Sequence, residues 1–308
     1  MDMTNIFIQM AILFIIMVAG FMSVKLKAFD ETIIKSLSIF FSSFIFPALV
    51  INSILNSSAE LTGSEAVTFL LLSLLTLSLA VPVAILVPVI LRVQPDKASV
   101  YRFMMICVNV GFVGYPVAQA AYGEAAAFYL GLFIVMGNFF TFSVGILLLT
   151  GQRGEISFKK ILTQSPIMIV TVICFVLFIF GFKLPGPIHD TVEALSNVAV
   201  PLGMIIVGAT LGTIPFKSVV TDWRLYIFAF VKLIVLPVIT FLILRNLIPE
   251  KVPLGCLVIA AGLPVAAICS VISAQYKKDS ALASKSILIT TLFSMVTLPA
   301  ILYFFKLL

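Results

Sequence analysis

Cys107-Val108-Asn109-Val110-Gly111-Phe112-Val113-Gly114-Tyr115-Pro116 lies inside an apolar run at 99–121. The run is long enough for one helical crossing of a bilayer, which takes about 20 residues. Proline removes a backbone donor and crowds the carbonyl four residues earlier, and glycine weakens the helix before it. The stretch therefore predicts a membrane helix interrupted near its middle. A bilayer tolerates such a break only where the freed backbone groups are buried in protein or face a cavity.

Nine further apolar runs surround this one, at 4–24, 32–56, 66–91, 125–150, 163–182, 190–212, 222–245, 253–275 and 281–305. Of the 308 residues, 62% are hydrophobic and 10% charged, and the mean hydropathy is +1.23. A soluble domain carries about 25% charged residues, so a water-covered globule is excluded, and so is disorder. A membrane β-barrel would alternate over roughly ten residues per strand, whereas these runs are continuous. The reading is an all-α membrane protein of ten transmembrane helices. The net charge of +6 does not indicate a nucleic-acid partner, because the cations are scattered between apolar runs. Counted by alternate loops, 14 Lys and Arg fall on one side and 4 on the other, with Lys232 inside the eighth run, which accounts for all 19. The positive-inside rule then places both termini outside a cell membrane and the loop 151–163 in the cytoplasm. The first run, without a basic segment before it, reads as a retained span rather than a signal peptide.

The four cysteines, Cys107, Cys174, Cys256 and Cys269, lie singly within apolar runs and read as small packing residues. One histidine, His189, and no carboxylate cluster argue against a metal centre. No GxSxG, HExxH or comparable motif appears, so neither an enzyme nor a cofactor is expected.

Internal repetition organises the chain. Pro47 and Pro201 are 154 apart, Pro82-Val83 and Pro237-Val238 are 155 apart, and Pro116-Val117-Ala118 and Pro264-Val265-Ala266 are 148 apart. These offsets suggest two halves, 1–150 and 164–308, joined by a short linker at 151–163. Five spans per half is an odd number, so the second half enters the membrane inverted, as in many secondary transporters.

Spans four and nine then carry the site. Gly262-Leu263-Pro264 in span nine mirrors the fourth-span motif and predicts a second break at Pro264. Half-helices starting at Pro116 and Pro264 would direct free N–H groups and a partial positive charge into a shared cavity, which suits an anion. Gly111 and Gly114 serve either that break or close helix packing. Asn109 either lines the cavity or repairs the break. Lys232, near mid-span, faces an anionic substrate, a carbonyl freed at a broken helix, or an interface reached by its long stem. Gln119 and Asn52 are further candidates for polar lining, whereas Asn138 and Asn197 read as hydrogen-bonding glue between helices. No Asp or Glu lies deep in a span; Glu124, Asp190 and Glu193 stand near span ends. That argues against a carboxylate-based proton antiporter, and no ring of charges marks a channel. A transporter of a small organic anion is the reading, with a cation-coupled carrier resembling the bile-acid sodium symporters as the alternative.

Asn-x-Gly-x-x-Gly-x-Pro in the fourth span, Gly-x-Pro in the ninth and the ten-span length resemble the auxin efflux carrier family. That family includes plant PIN-type carriers and bacterial permeases of malate and related organic acids. The resemblance implies a 5+5 inverted fold whose helices four and nine are broken and cross at the substrate site. It also implies alternating access and a homodimer, with helices 1, 2, 6 and 7 as scaffold against a core of helices 3–5 and 8–10. The short central loop departs from the long hydrophilic one of plant members, so regulation through that loop does not carry over.

Overall fold

The computed structural model describes residues 3–55, 63–151, 169–170, 173, 176–177, 184–214, 222–305 and 307. Predicted span 163–182 and the loop 151–163 fall almost wholly outside these residues, as does Cys174. The described chain is helical, and its single β feature is a one-residue bridge between Val108 and Val265. Among the described residues, six helices are long and apolar enough to cross a membrane: Glu31–Asn52, Ser64–Ile90, Phe128–Thr150, Gly186–Thr213, Trp223–Leu244 and Ser280–Phe304. Their bounds follow the runs read from sequence to within a few residues.

In chain order the elements are α1 (Met3–Lys25), α2 (Glu31–Phe40), α3 (Phe46–Leu55), α4 (Gly63–Ile90), α5 (Pro95–Ile106), α6 (Tyr115–Tyr122), α7 (Glu124–Phe140) and α8 (Ile146–Thr150). After the linker come α9 (Gly186–Thr213), α10 (Trp223–Phe230), α11 (Leu236–Leu244), α12 (Lys251–Ala261), α13 (Ile268–Gln275) and α14 (Ser280–Phe304). Among the described residues, four π turns join α2 to α3, lead into α6, and join α7 to α8 and α10 to α11.

Three of those turns explain what happens to the prolines. Phe41–Ile45, Val110–Gly114 and Val231–Val235 each end two residues before a proline: Pro47, Pro116 and Pro237. In each, an N–H reaches back five residues, from Phe46 to Phe41 O, Tyr115 to Val110 O and Leu236 to Val231 O. The wider turn makes room for the pyrrolidine ring and removes the need for its missing donor. Pro82, Pro88, Pro201 and Pro299 likewise lie within helices that continue past them. A proline here bends or widens a helix more often than it breaks one.

The contact between α1 and α9 is built on close backbone approach. A Cβ at Gly20 would collide with the Ile205 carbonyl, and one at Gly208 with the Met17 carbonyl, so α1 lies directly on α9. The C-terminal carbonyl end of α9 is held by Lys25, whose Nζ donates to Gly212 O at 3.0 Å. On α3, Asn52 Nδ2 donates to Ser196 Oγ of α9 at 3.3 Å. Opposite them, α4 to α8 and α10 to α14 pack around the buried α5 and α12, whose last turns are fully enclosed.

Candidate functional site

The two interrupted helices meet where each loses its α-helical pattern. Helix α5 ends at Ile106, Cys107 is extended (φ −80°, ψ 97°), and Asn109 caps the following π turn by accepting from the Phe112 N–H through Oδ1 at 3.2 Å. Asparagine is a preferred N-cap, and here it starts the second half of span four. Helix α12 ends at Ala261, and Gly262 to Ala267 form the second break before α13. The breaks pair with each other: the Asn109 N–H donates to Pro264 O at 3.0 Å, and the Ala266 N–H donates to Cys107 O at 3.1 Å. The Val265 N–H donates to Thr290 Oγ1 on α14 at 3.1 Å. Spans four and nine thus cross in contact, and each satisfies backbone groups the other has freed.

The expected location of the first break is corrected by this geometry. It lies at Cys107–Asn109 and not at Pro116, which sits inside the second half-helix behind its π turn. The sequence pairing of Pro116 with Pro264 was therefore out of register. Bridged Val108 and Val265 are 265 − 108 = 157 apart, close to the 154 and 155 of the other proline pairs.

A cavity of about 270 Å³ opens beside the crossing, lined by Ser42, Asn109, Gly111, Asn138, Thr141 and Ala267 among others. Its apolar wall includes Phe41 and Phe112, with ring centroids 4.4 Å apart, and Phe46. A larger space of about 660 Å³ shares Ser42, Asn109, Phe112, Ala267 and Ile268 with it and runs to Glu31 and Lys35 at the start of α2. It is a vestibule that adjoins the crossing and reaches the start of α2. No lining residue of the smaller cavity is charged. Among the described residues, the backbone N–H groups of Gly111, Ala267 and Ile268 have no acceptor. The same holds for the Asn109 and Asn138 side-chain amides as donors and for the Thr141 hydroxyl. Two half-helix N-termini and three neutral polar side chains therefore converge on one cavity, with donors to spare.

The candidates sort as follows. Asn109 and Gly111 line the cavity, and a Cβ on Gly111 would stand 2.7 Å from the Phe46 ring. Gly114 packs on Leu263 of the other break, and Gly262 on Leu298 and Pro237. Pro264 contributes its carbonyl to the crossing but lines neither cavity, and Pro116 and Gln119 also line neither. Asn52 is corrected from cavity lining to the α3–α9 contact, because Ser196 takes its amide. Lys232 is fully buried and does not reach the cavity; Nζ donates to Met105 O at 2.9 Å. Of its three sequence readings, the carbonyl freed at a broken helix is the one observed. Asn138 and Thr141 were missed as lining, although their spacing of three puts them on one helix face. Asn197 is exposed on the surface of the single chain. His189 stands 3.1 Å from Asp190 and 4.0 Å from Glu193 on the exposed first turns of α9, apart from both cavities.

Comparison with known proteins matches a family described as membrane transport protein to residues 5–302. A transporter of Methanocaldococcus jannaschii, named as uncharacterized, is 27% identical over 266 residues, covering 82% of this chain and 85% of its own. A protein of Rhizobium meliloti named "Putative malonate transporter" is 26% identical over 219 residues, 68% of each chain. An uncharacterized transporter of Methanothermobacter thermautotrophicus is 30% identical over 198 residues, covering 62% of this chain and 63% of its own.

Proposed function

The chain belongs to the membrane transport protein family, that of the auxin efflux carriers, and from that membership we propose that it carries a small organic anion across the cell membrane by alternating access. It is a membrane transporter rather than an enzyme. The observation that supports an anion is the convergence of unpartnered N–H groups from two half-helix N-termini with Asn109, Asn138 and Thr141 on a cavity without a carboxylate. Each helix terminus favours a negative charge by about 0.3–1 kcal/mol when exposed, and up to ~2 kcal/mol when partly buried. A carboxylate-based cation or proton site would need acids at this place, and the cavity lining has none, so the bile-acid-symporter-like alternative is the weaker reading. The relative named for malonate points to small carboxylates as the first substrates to test.

The remaining parts of the reading follow the same plan. The chain is two inverted five-span repeats, 1–150 and 164–308, whose broken helices four and nine cross. Helices 1, 2, 6 and 7 form the scaffold, through which two copies dimerise, and helices 3–5 and 8–10 form the moving core. Both termini are outside, which makes the vestibule at Lys35 cytoplasmic and this state open to the inside. A single cysteine at Gln152 in a cysteine-free background should react only from the cytoplasmic face.

Uptake of labelled malonate, malate and benzoate into vesicles of both orientations, with and without a proton gradient, tests the function. Saturable uptake of at least one acid, with no competition from its amide, is the expected result. Equal competition by acid and amide would overturn the anion reading.

A further inference from the structure

Lys232 is the one Lys or Arg among the described residues that is fully buried, and it lies outside both cavities. Its acceptor, Met105 O, belongs to the last turn of α5. In an uninterrupted helix that carbonyl would accept from the N–H four residues on, which is that of Asn109. Here the Asn109 N–H is turned away to Pro264 O, at 3.0 Å. The ammonium occupies the place that Asn109 left. It also sets a positive charge on the carbonyl end of α5, where a helix concentrates negative partial charge.

Among the described residues, the second break has no such cation. The donor missing there is that of Pro264 itself, and the buried Val265 N–H, freed from the helical pattern, goes to the Thr290 hydroxyl. Lys232 therefore acts on the first break alone, and its effect reaches the cavity through Asn109.

We propose that Lys232 is a positioning residue for Asn109: by taking over Met105 O it releases the Asn109 N–H to Pro264 and so holds the Asn109 side chain at the cavity. Without the cation, Met105 O is a buried acceptor with no partner, and the cheapest repair is the return of the Asn109 N–H to it. That return would rewind the α5 end by one turn, break the bond to Pro264 and rotate the Asn109 amide away from the cavity. The effect on ligand rests on the anion reading above; the effect on backbone register does not.

The test uses the full-length protein in lipid nanodiscs, as wild type and as Lys232→Met, Lys232→Gln and Lys232→Arg. Amide exchange over residues 107–110 and 265–267 needs no ligand. In Lys232→Met it should rise at least tenfold at Ala266, which loses the Cys107 carbonyl as span four rewinds, while Asn109 stays protected by Met105 O; Lys232→Arg should fall back toward wild type. Unchanged protection in Lys232→Met overturns the proposal, and so does a global rise in exchange in all three variants, which would mark a merely structural residue. The second readout is binding of labelled malonate and benzoate in a double-mutant cycle with Asn109→Ala. The two single changes should each weaken binding about tenfold or more, and the double change should be no worse than the poorer single. Additive losses overturn the proposal. A wild type that binds neither acid defeats the anion reading, and the exchange measurement then decides the proposal alone.

Discussion

Spans four and nine reach the same backbone geometry by different chemistry. In span four the chain leaves α5 at Cys107 without a proline at the break, and an asparagine starts the next half-helix. In span nine the break contains Pro264, follows Gly262, and is stabilised from α14 by a threonine hydroxyl. One break carries its own cap and a cation behind it; the other borrows a donor and an acceptor from its neighbours. The difference puts a polar side chain of the break on the cavity wall in span four, while the break in span nine supplies no polar side chain there. The predictions below separate these roles.

The largest effect is expected at Asn109. Asn109→Ala removes the cap on the Phe112 N–H and the amide facing the cavity. Loss of a hydrogen bond to a charged ligand costs roughly 1.5–3 kcal/mol, which is about a tenfold to hundredfold loss of affinity. Titration of the acid that the vesicle assay identifies measures it, and undiminished affinity in a well-expressed variant would remove Asn109 from the site. At the other break, Thr290→Val strands the Val265 N–H in a buried place. A stranded buried donor costs about 1–3 kcal/mol of stability, to be seen as a lowered Tm, with affinity less affected than in Asn109→Ala. If Thr290→Val weakened binding more than Asn109→Ala, the division of labour would be reversed.

The glycines give a smaller and more local contrast. Gly111→Ala puts a methyl 2.7 Å from the Phe46 ring, on the cavity wall, whereas Gly262→Ala meets Leu298 and Pro237 at 3.1 and 3.3 Å on the far side of the crossing. Pushing an aromatic ring aside costs about 1–3 kcal/mol, and here the ring moves against the substrate space. Gly111→Ala should therefore discriminate against the bulkier of two acids, benzoate before malonate. Gly262→Ala should lower uptake of both alike. Competition measurements with the pair of acids distinguish the two results.

How much of this was legible in sequence depends on the kind of signal. Continuous apolar runs match the six membrane-length helices among the described residues to within a few residues, because burial in lipid demands length and little else. Asn109 and Gly111 stand out in sequence because a polar or missing side chain within such a run is costly unless it has a use, and both line the cavity. The register of the first break was misread, because Pro116 is the loudest helix-breaking residue in its span and its π turn is silent in sequence. The quieter signal was Asn109 itself, a helix-starting residue seven positions earlier. Gln119 failed for a related reason, since its place was counted from Pro116. Lys232 was singled out by its cost in a bilayer, but only the path of the Asn109 N–H shows why a carbonyl was waiting for it. Another local rule gives way at Lys27, Arg92 and Lys277, which adopt φ of 60°, 49° and 55° just beyond helix ends. Glycine is the usual residue there, and all three lie on the side that the cation count assigns to the cytoplasm.

The smallest effect is expected at Pro116, and it is the sharpest test of where span four breaks. The proline sits behind the turn in which the Gly114 N–H reaches Asn109 O and the Tyr115 N–H reaches Val110 O, both five residues back. That turn already spares the helix both the ring clash and the missing donor. Pro116→Ala restores a donor and leaves the break at Cys107–Asn109 untouched, since Asn109 and Lys232 hold it. The change in stability should stay within about 1 kcal/mol, the size of a proline's effect on the unfolded chain, with affinity for the acid unaltered. Pro264→Ala is the matched control: it offers the Ala260 carbonyl a helical donor and so favours winding α12 onward through the break, at the expense of the bond from Asn109. It should reduce uptake clearly at equal expression. Were Pro116→Ala the more damaging of the two, the proline and not the asparagine would make the first break, and the site would have to move seven residues along the helix.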